Sequence, residues 1–176
     1  MDHSPADEAF LLDLLNTTPV VDGVQRDLLD GDPGRAWLRD HGGDGSAAEQ
    51  QATRTARNAL QAVARGDEPA RSLAPLLSDV RLAPAIGDDG ISWIPTDVPP
   101  ARGLAVRAVL AWDAVRRTHP GRLRPCANDE CALFLLDRSK PNRARWCSMA
   151  TCGNRMKARR HHERTRAGAS GPESRG

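Results

Sequence analysis

Four cysteines in two pairs of equal spacing constrain this chain of 176 residues more than any other feature. Cys126 and Cys131 form one C-x4-C pair, and Cys147 and Cys152 form the other, with 15 residues between the pairs. Each short loop can present two sulfurs to one side of an ion, so two loops complete a tetrahedral shell. Thiolates are soft anionic ligands that suit Zn²⁺, and four of them leave no open position. The spacing therefore predicts one structural zinc ion per chain.

Two other roles for the cysteines stay open at this point. They could form two disulfides, which an intracellular setting disfavours. They could also be unliganded core residues, because free cysteine is often buried. His161 and His162 offer alternative metal ligands, but four cysteines already complete the shell, so we expect both on a helix surface. A segment this short has little core of its own, which favours a metal.

Charge divides the chain into two unequal parts. Residues 122–166 contain 12 Lys and Arg against 4 Asp and Glu, whereas residues 1–121 contain 12 Arg against 18 Asp and Glu. The formal net charge of +2 therefore hides a basic segment that coincides with the cysteines. Such asymmetry is typical of a chain whose basic segment binds nucleic acid and whose remaining residues have a different role.

The first 120 residues have the pattern of a mainly helical α+β domain. Apolar residues recur at helical spacing in several capped segments, the last of them over residues 101–118. Two short alternating runs around residues 87–90 predict a small β-hairpin. A His-Pro-Gly breaker then sets the boundary. We predict a domain over 1–120, a zinc finger over 121–166 and a disordered tail over 167–176.

Within the finger, the chain must reverse direction to bring the two cysteine pairs together. We expect residues 132–136 to form a strand, residues 137–142 to turn, and residues 143–146 to return beside that strand. Cys152 would lie at the N-terminus of a basic helix, where the helix dipole stabilises a thiolate. A knuckle, a hairpin and a helix carrying the last ligand resemble a treble-clef zinc finger.

The residues around the second cysteine pair carry a specific resemblance. The sequence WCSMATCGNRMKARR over 146–160 resembles the signature of the CGNR zinc-finger family, and residues 124–131 and 134–139 match its pattern. The N-terminal part is similar to the ABATE domain that accompanies this finger, at residues 13–17, 28–29 and 36–38. The resemblance implies a stress-induced transcription regulator whose finger binds DNA and whose N-terminal domain senses a small ligand.

Basic side chains beside the predicted turn and on the last helix are the candidates for phosphate contact. The nine candidates are Arg138, Lys140, Arg143, Arg145, Arg155, Lys157, Arg159, Arg160 and Arg164. A charge run of this kind can also be a solvated helix, or it can dock on the acidic N-terminal domain. Only Glu163 offsets the basic residues between Cys147 and Arg166, which favours nucleic acid. Asn154 is either a reader of DNA or, as we expect, a helix cap.

Aromatic residues are scarce, at 3% with no Tyr, which disfavours a broad platform for stacking single-stranded bases. We expect Phe134 and Trp146 in the core of the finger, which favours DNA over RNA. In the N-terminal domain, Asn16, Trp37 and Trp93 are candidates for a ligand pocket, although residues of these types more often serve as turn caps or core aromatics. The sequence contains no phosphate loop, nucleophile elbow or metal-hydrolase motif, so we expect no enzyme.

Taken together, these patterns predict a zinc-dependent DNA-binding transcription regulator with a small-molecule ligand. The alternatives are a zinc-finger module that docks another protein, and an RNA-binding protein; homo-oligomer formation stays open. We expect a cytoplasmic protein without a membrane partner, because the N-terminus is acidic and no apolar run approaches about 20 residues.

Overall fold

Helices form most of the chain in the computed structural model, which describes residues 4–88 and 90–169, with side chains up to 166. Five α-helices lie in these residues: α1 (Pro5–Leu15), α2 (Gly31–Asp40), α3 (Ala47–Arg65), α4 (Gly103–Thr118) and α5 (Asn154–Ala169). Short 3₁₀ segments, Ala70–Leu77 and Pro100–Arg102, join α3 to the following hairpin and lead into α4. None of these helices is long and apolar enough to cross a membrane.

The helix boundaries follow the capping residues in the sequence. Ser4 accepts a hydrogen bond from Ala6 N at the start of α1, and Ser46 accepts one from Glu49 N at the start of α3. The carboxylate of Glu49 binds Gly45 N at 2.8 Å, one residue before the position that a regular capping box uses. The two serine contacts satisfy N–H groups that a helix leaves without partners at its first turn.

In the described part of the chain, three separate antiparallel hairpins accompany the helices. They pair β1 (Val20–Val21) with β2 (Val24–Gln25), β3 (Arg81–Gly87) with β4 (Gly90–Thr96), and β5 (Leu123–Pro125) with β6 (Phe134–Leu136). Gly87 pairs with Gly90 at the turn between β3 and β4, as the alternating pattern predicts. The α+β fold class and a four-cysteine cluster in the C-terminal segment are therefore confirmed.

One apolar core joins α1, α3 and α4 to the last hairpin. Its fully or nearly buried members come mainly from these helices: Phe10, Leu11, Leu14, Leu15, Leu29, Leu38, Leu60, Leu73, Leu104, Ala108, Val109, Ala111, Val115 and Phe134. Phe134 belongs to β6, within the predicted finger, and is 1% exposed. The finger thus shares a hydrophobic core with the N-terminal helices.

The strand pairing predicted inside the finger is wrong. Residues 143–146 form no strand, and β6 pairs with the preceding β5. The returning segment makes a different contact, because Ala127 N donates to Arg145 O at 2.8 Å and so binds that segment to the first cysteine loop. Helix α5 continues to Ala169, three residues into the predicted tail, and residues 170–176 lie outside the described part of the chain.

Candidate metal centre and nucleic-acid interface

The four cysteine sulfurs converge on one point. They all lie within 4.8 Å of one another, and Cys147 Sγ is 3.7 Å from the sulfurs of both Cys131 and Cys152. Four thiolates about 2.3 Å from a tetrahedral zinc ion would stand about 3.8 Å apart. A disulfide would bring two sulfurs to about 2.05 Å, and all four cysteines are free. The cluster therefore fits one structural zinc ion.

Hydrogen bonds from backbone N–H groups close the first cysteine loop and join the two loops. Cys131 N donates to Asn128 O at 2.9 Å and closes the first loop. Cys147 N donates to Cys126 Sγ at 3.4 Å and so joins the second loop to a sulfur of the first. A π-helical turn (Met149–Gly153), capped by Ser148, carries the last ligand. Cys152 thus lies two residues before α5, as the sequence predicts.

Asn128 is a part of the centre that sequence reasoning missed. Its side chain is buried at 1% exposure between the first two cysteines. Nδ2 lies 3.6 Å from Cys152 Sγ, and Oδ1 accepts from Glu130 N at 3.3 Å. One amide therefore holds the first loop and contacts the last ligand. The position of Asn128 inside the C-x4-C loop could have indicated a role at the metal centre. Its contact with Cys152 could not be predicted, because the two residues are 24 positions apart.

Asp137 organises the turn that follows β6, and it was also missed. Its carboxylate is buried and accepts from Ser139 N and Ala144 N, both at 2.8 Å, and from Arg124 Nη2 at 2.9 Å. The hydrogen bonds that Asp137 accepts from Ser139 are the main reason that its pKa lies below the usual value, although burial opposes the shift. Asp137 thus connects β5 to the turn between the cysteine pairs.

Burial favours the protonated form of two of the thiols in the metal-free protein. It raises the pKa of Cys131 to about 11 and also raises the pKa of Cys147. Burial acts in the same direction on Cys152, but hydrogen bonds to its sulfur, first from Asn128, hold its pKa below the usual value. Zinc must therefore displace protons on binding, and its affinity should fall as the pH falls.

All nine predicted phosphate-binding residues have exposed side chains, but their surroundings differ. Arg155 lies 3.7 Å from Glu130, and Arg159 lies 3.1 Å from Asp129. Both acids belong to the first cysteine loop. In contrast, Arg138 binds Glu8 of α1 at 2.6 Å and is the one candidate of the nine with an ion pair to the N-terminal helices among the described residues.

The remaining candidates have no acidic partner within ion-pair distance in the described residues. On α5 these are Lys157, Arg160 and Arg164, which follow one another at i,i+3 and i,i+4 spacing and so share one helix face. Arg164 Nε donates to Arg160 O at 3.3 Å, a contact within the helix. The neighbouring Glu163 lies 3.6 Å from Arg159. We call Lys157, Arg160 and Arg164 the open basic face. The other three, Lys140, Arg143 and Arg145, lie between β6 and the second cysteine pair, where the guanidinium of Arg145 lies over the Trp146 ring.

The other candidates lie in three different places. Asn16 hydrogen-bonds the backbone of Phe134, and Trp37 stacks on His41 with ring centroids 3.8 Å apart. Trp93 is exposed on β4 and lines a cavity against α4. The structure does not bring the three predicted pocket residues together. Asn154 donates to Ala150 O at 3.2 Å, a local structural contact.

Comparison with known proteins agrees with the geometry of the cysteines. Residues 122–165 match the family described as CGNR zinc finger, and this range contains all four cysteines and the open basic face. No curated protein matches the chain. The match stops short of the N-terminal helices, so their similarity to the ABATE domain stays a prediction. The chain therefore carries a CGNR zinc finger at residues 122–165, with four cysteines placed to hold one structural zinc ion.

Proposed function

We propose that this protein is a DNA-binding transcription regulator in which zinc positions a basic helix on the phosphate backbone. The observation that carries the proposal is the open basic face, three cations without an acidic partner in the described residues, on the helix that directly follows the last zinc ligand. Lys and Arg side chains in such a row neutralise phosphates and release counterions. Binding of this kind requires no catalytic residue.

The packing of α5 explains why the zinc is needed. Met156 is the one buried residue between Asn154 and Arg166, so the helix has almost no apolar anchor. A helix that is polar all round gains little from packing and needs another constraint. Cys152, together with Gly153, connects it to the metal centre, and ion pairs from Arg155 and Arg159 attach one side to the first cysteine loop. The opposite side stays available to a partner.

Double-stranded DNA is favoured over the alternatives by two observations. Phe134 is buried in the shared core, and Trp146 is half-buried beside the metal centre under Arg145, so neither aromatic of the finger offers a free stacking surface for single-stranded RNA. A protein-docking finger usually presents apolar anchors at its interface, whereas the open basic face has only charged side chains. We place the RNA-binding and protein-docking functions second.

Helix α1 supports the further proposal that the N-terminal domain regulates the finger. Asp7 of α1 binds Arg107 of α4 at 2.8 Å, and its neighbour Glu8 binds Arg138 at 2.6 Å. Asn16, at the end of α1, binds β6. A ligand that shifts α1 would therefore act on the finger, provided that it binds two arrangements of the protein with different affinity.

The decisive experiment is a titration of the zinc-loaded chain with random and genomic duplex DNA over a salt series. We expect the logarithm of the affinity to fall steeply and linearly with the logarithm of the salt concentration. Selection of bound genomic fragments then tests sequence specificity. Absence of binding to duplex DNA at low salt, with zinc present and the chain folded, would refute the proposed function and favour protein docking.

A further inference from the structure

The β3–β4 hairpin exposes an apolar face. The pairing of Gly87 with Gly90 and the alternation of strands place six apolar residues on this side: Leu82, Pro84, Ile86, Ile91, Trp93 and Pro95. None of these six described positions carries a charged side chain, although Trp93 is 47% exposed and Ile86 is 86% exposed. A two-stranded hairpin is marginally stable in water, so such a face gains stability when something covers it.

Opposite the base of the hairpin lies a stripe of α4. Gly103, Val106, Leu110 and Ala114 follow one another at intervals of three or four residues and therefore share one side of the helix. Together with Trp93 and its neighbours they line a cavity of about 280 Å³. Because Gly103 has no side chain and Ala114 has only a methyl group, the space between the hairpin and the helix stays open.

The charges at the cavity cancel each other. Asp7 Oδ1 and Arg107 Nε, both in the lining, form an ion pair at 2.8 Å. The guanidinium of Arg107 also lies 4.3 Å from the centre of the Phe10 ring, which holds it in place. The lining thus offers one exposed indole and several aliphatic side chains but no unpaired charge. A charged ligand would lose its hydration there without gaining a counterion.

We infer that this cavity binds a small, neutral aromatic molecule of one or two rings, which packs against Trp93 and the α4 stripe. The volume of about 280 Å³ lies just below the roughly 300–1,000 Å³ typical of ligand pockets, which limits the size of the ligand. A flat ring suits Trp93 because offset stacking adds to the burial of apolar area. The inference rests on the ligand-sensing part of the proposed function and gives it a site.

The probe for the test is 2-naphthol, compared with 2-naphthoate, which has the same rings and a negative charge. Calorimetric titration of the zinc-loaded full chain should show one 2-naphthol per chain, with 2-naphthoate at least tenfold weaker. Trp93→Ala should weaken 2-naphthol at least tenfold by removing the stacking surface. Ala114→Leu should weaken it by a similar factor, because the larger side chain fills the cavity.

The matched control is Ile86→Ala, which removes an apolar side chain from the same hairpin face but lies outside the cavity lining. It should bind 2-naphthol as the parent chain does. Far-ultraviolet circular dichroism and thermal unfolding show that each variant is folded. Failure of the folded parent chain to bind 2-naphthol, or unchanged binding by Trp93→Ala and Ala114→Leu, would overturn the inference. Loss of 2-naphthol binding in Ile86→Ala would also overturn it, because the hairpin face and not the cavity would then be the site. Duplex DNA titrations of the same samples report on the proposed function separately.

Discussion

The side-chain amide of Asn16 forms two hydrogen bonds with the backbone of Phe134. Oδ1 accepts from Phe134 N at 2.7 Å, and Nδ2 donates to Phe134 O at 3.3 Å. Since β5 pairs with one edge of β6, the amide at the end of α1 takes the place of a neighbouring strand on the other edge. A residue that the sequence suggested for ligand binding thus joins the N-terminal helices to the zinc finger.

Replacement of Asn16 by Ala should therefore destabilise the whole chain. The change removes two hydrogen bonds and leaves a backbone donor and acceptor of β6 without partners in a partly buried place. Such a loss costs about 1–3 kcal/mol. Urea unfolding followed by circular dichroism measures the free energy. Asn154→Ala is the control, because Asn154 is exposed and makes one local contact, so its effect should stay below about 0.5 kcal/mol. Equal effects of the two variants would contradict the joining role of Asn16.

Loss of one zinc ligand should affect more than the finger. Cys147→Ser removes a sulfur that lies 3.7 Å from the sulfurs of both Cys131 and Cys152. We therefore expect the zinc content to fall well below one ion per chain. Because Phe134 of the finger belongs to the common core, the midpoint of thermal unfolding of the entire chain should fall as well. Elemental analysis measures the zinc content, and scanning calorimetry measures the midpoint of thermal unfolding.

The control for this change is Ser148→Ala, which alters the neighbouring residue and the cap of the π-helical turn but no ligand. It should retain about one zinc ion per chain. A Cys147→Ser protein that keeps its zinc, or loses it without any change in unfolding, would contradict the structural role of the metal. Zinc sites in small fingers contribute about 10–16 kcal/mol of apparent folding free energy, so a chelator should reproduce the effect of the variant.

The two sides of α5 should differ in DNA binding. A Lys157→Gln, Arg160→Gln double variant removes two cations of the open basic face. The slope of the logarithm of DNA affinity against the logarithm of salt concentration should therefore become shallower by about one to two. An Arg155→Gln, Arg159→Gln double variant removes the same charge from the side that pairs with acids. It should have a smaller effect, measured by fluorescence anisotropy over a salt series. Equal effects would indicate attraction by net charge alone.

An ion pair in the N-terminal domain predicts a pH-dependent stability. Asp27 binds the nearly fully buried Arg57 at 2.5 and 2.8 Å, and this hydrogen bonding is the main reason that the pKa of Asp27 lies below 3.8. Its stabilising effect is present above pH 3.8 and is lost as the pH falls through the lowered pKa. Asp27→Asn should therefore destabilise the chain by about 2–3 kcal/mol at pH 7, because it leaves a buried cation with fewer partners.

Urea unfolding at pH 7, 5 and 3 tests this dependence. The difference between the parent chain and Asp27→Asn should be constant from pH 7 to 5 and should decrease at pH 3. Asp30→Asn removes a more exposed carboxylate that binds Arg54, so it should cost at most about 1 kcal/mol at every pH. A difference for Asp27→Asn that stays the same at pH 3 would contradict the lowered pKa.

Local signals in the sequence predicted those features that depend on neighbouring residues. The cysteine spacing predicted the metal centre, the Ser caps predicted where α1 and α3 begin, and glycines at both ends of a turn predicted the β3–β4 hairpin. The strand pairing of the finger was wrong, because β6 could pair with either of two segments of similar length. Only the hydrogen bond between Ala127 and Arg145 shows why residues 143–146 are used elsewhere.

The sequence by itself determined the zinc ligands, the helices and the concentration of positive charge around the metal, because each depends on residue type and short spacing. The tertiary structure decided which arginines are paired with Asp129 and Glu130 and which face of α5 stays open. It also decided that Asn16 and Glu8 hold the finger, and that Trp93 faces α4 across a cavity. These contacts join residues as many as 130 positions apart, and composition and periodicity carry no information on such pairs.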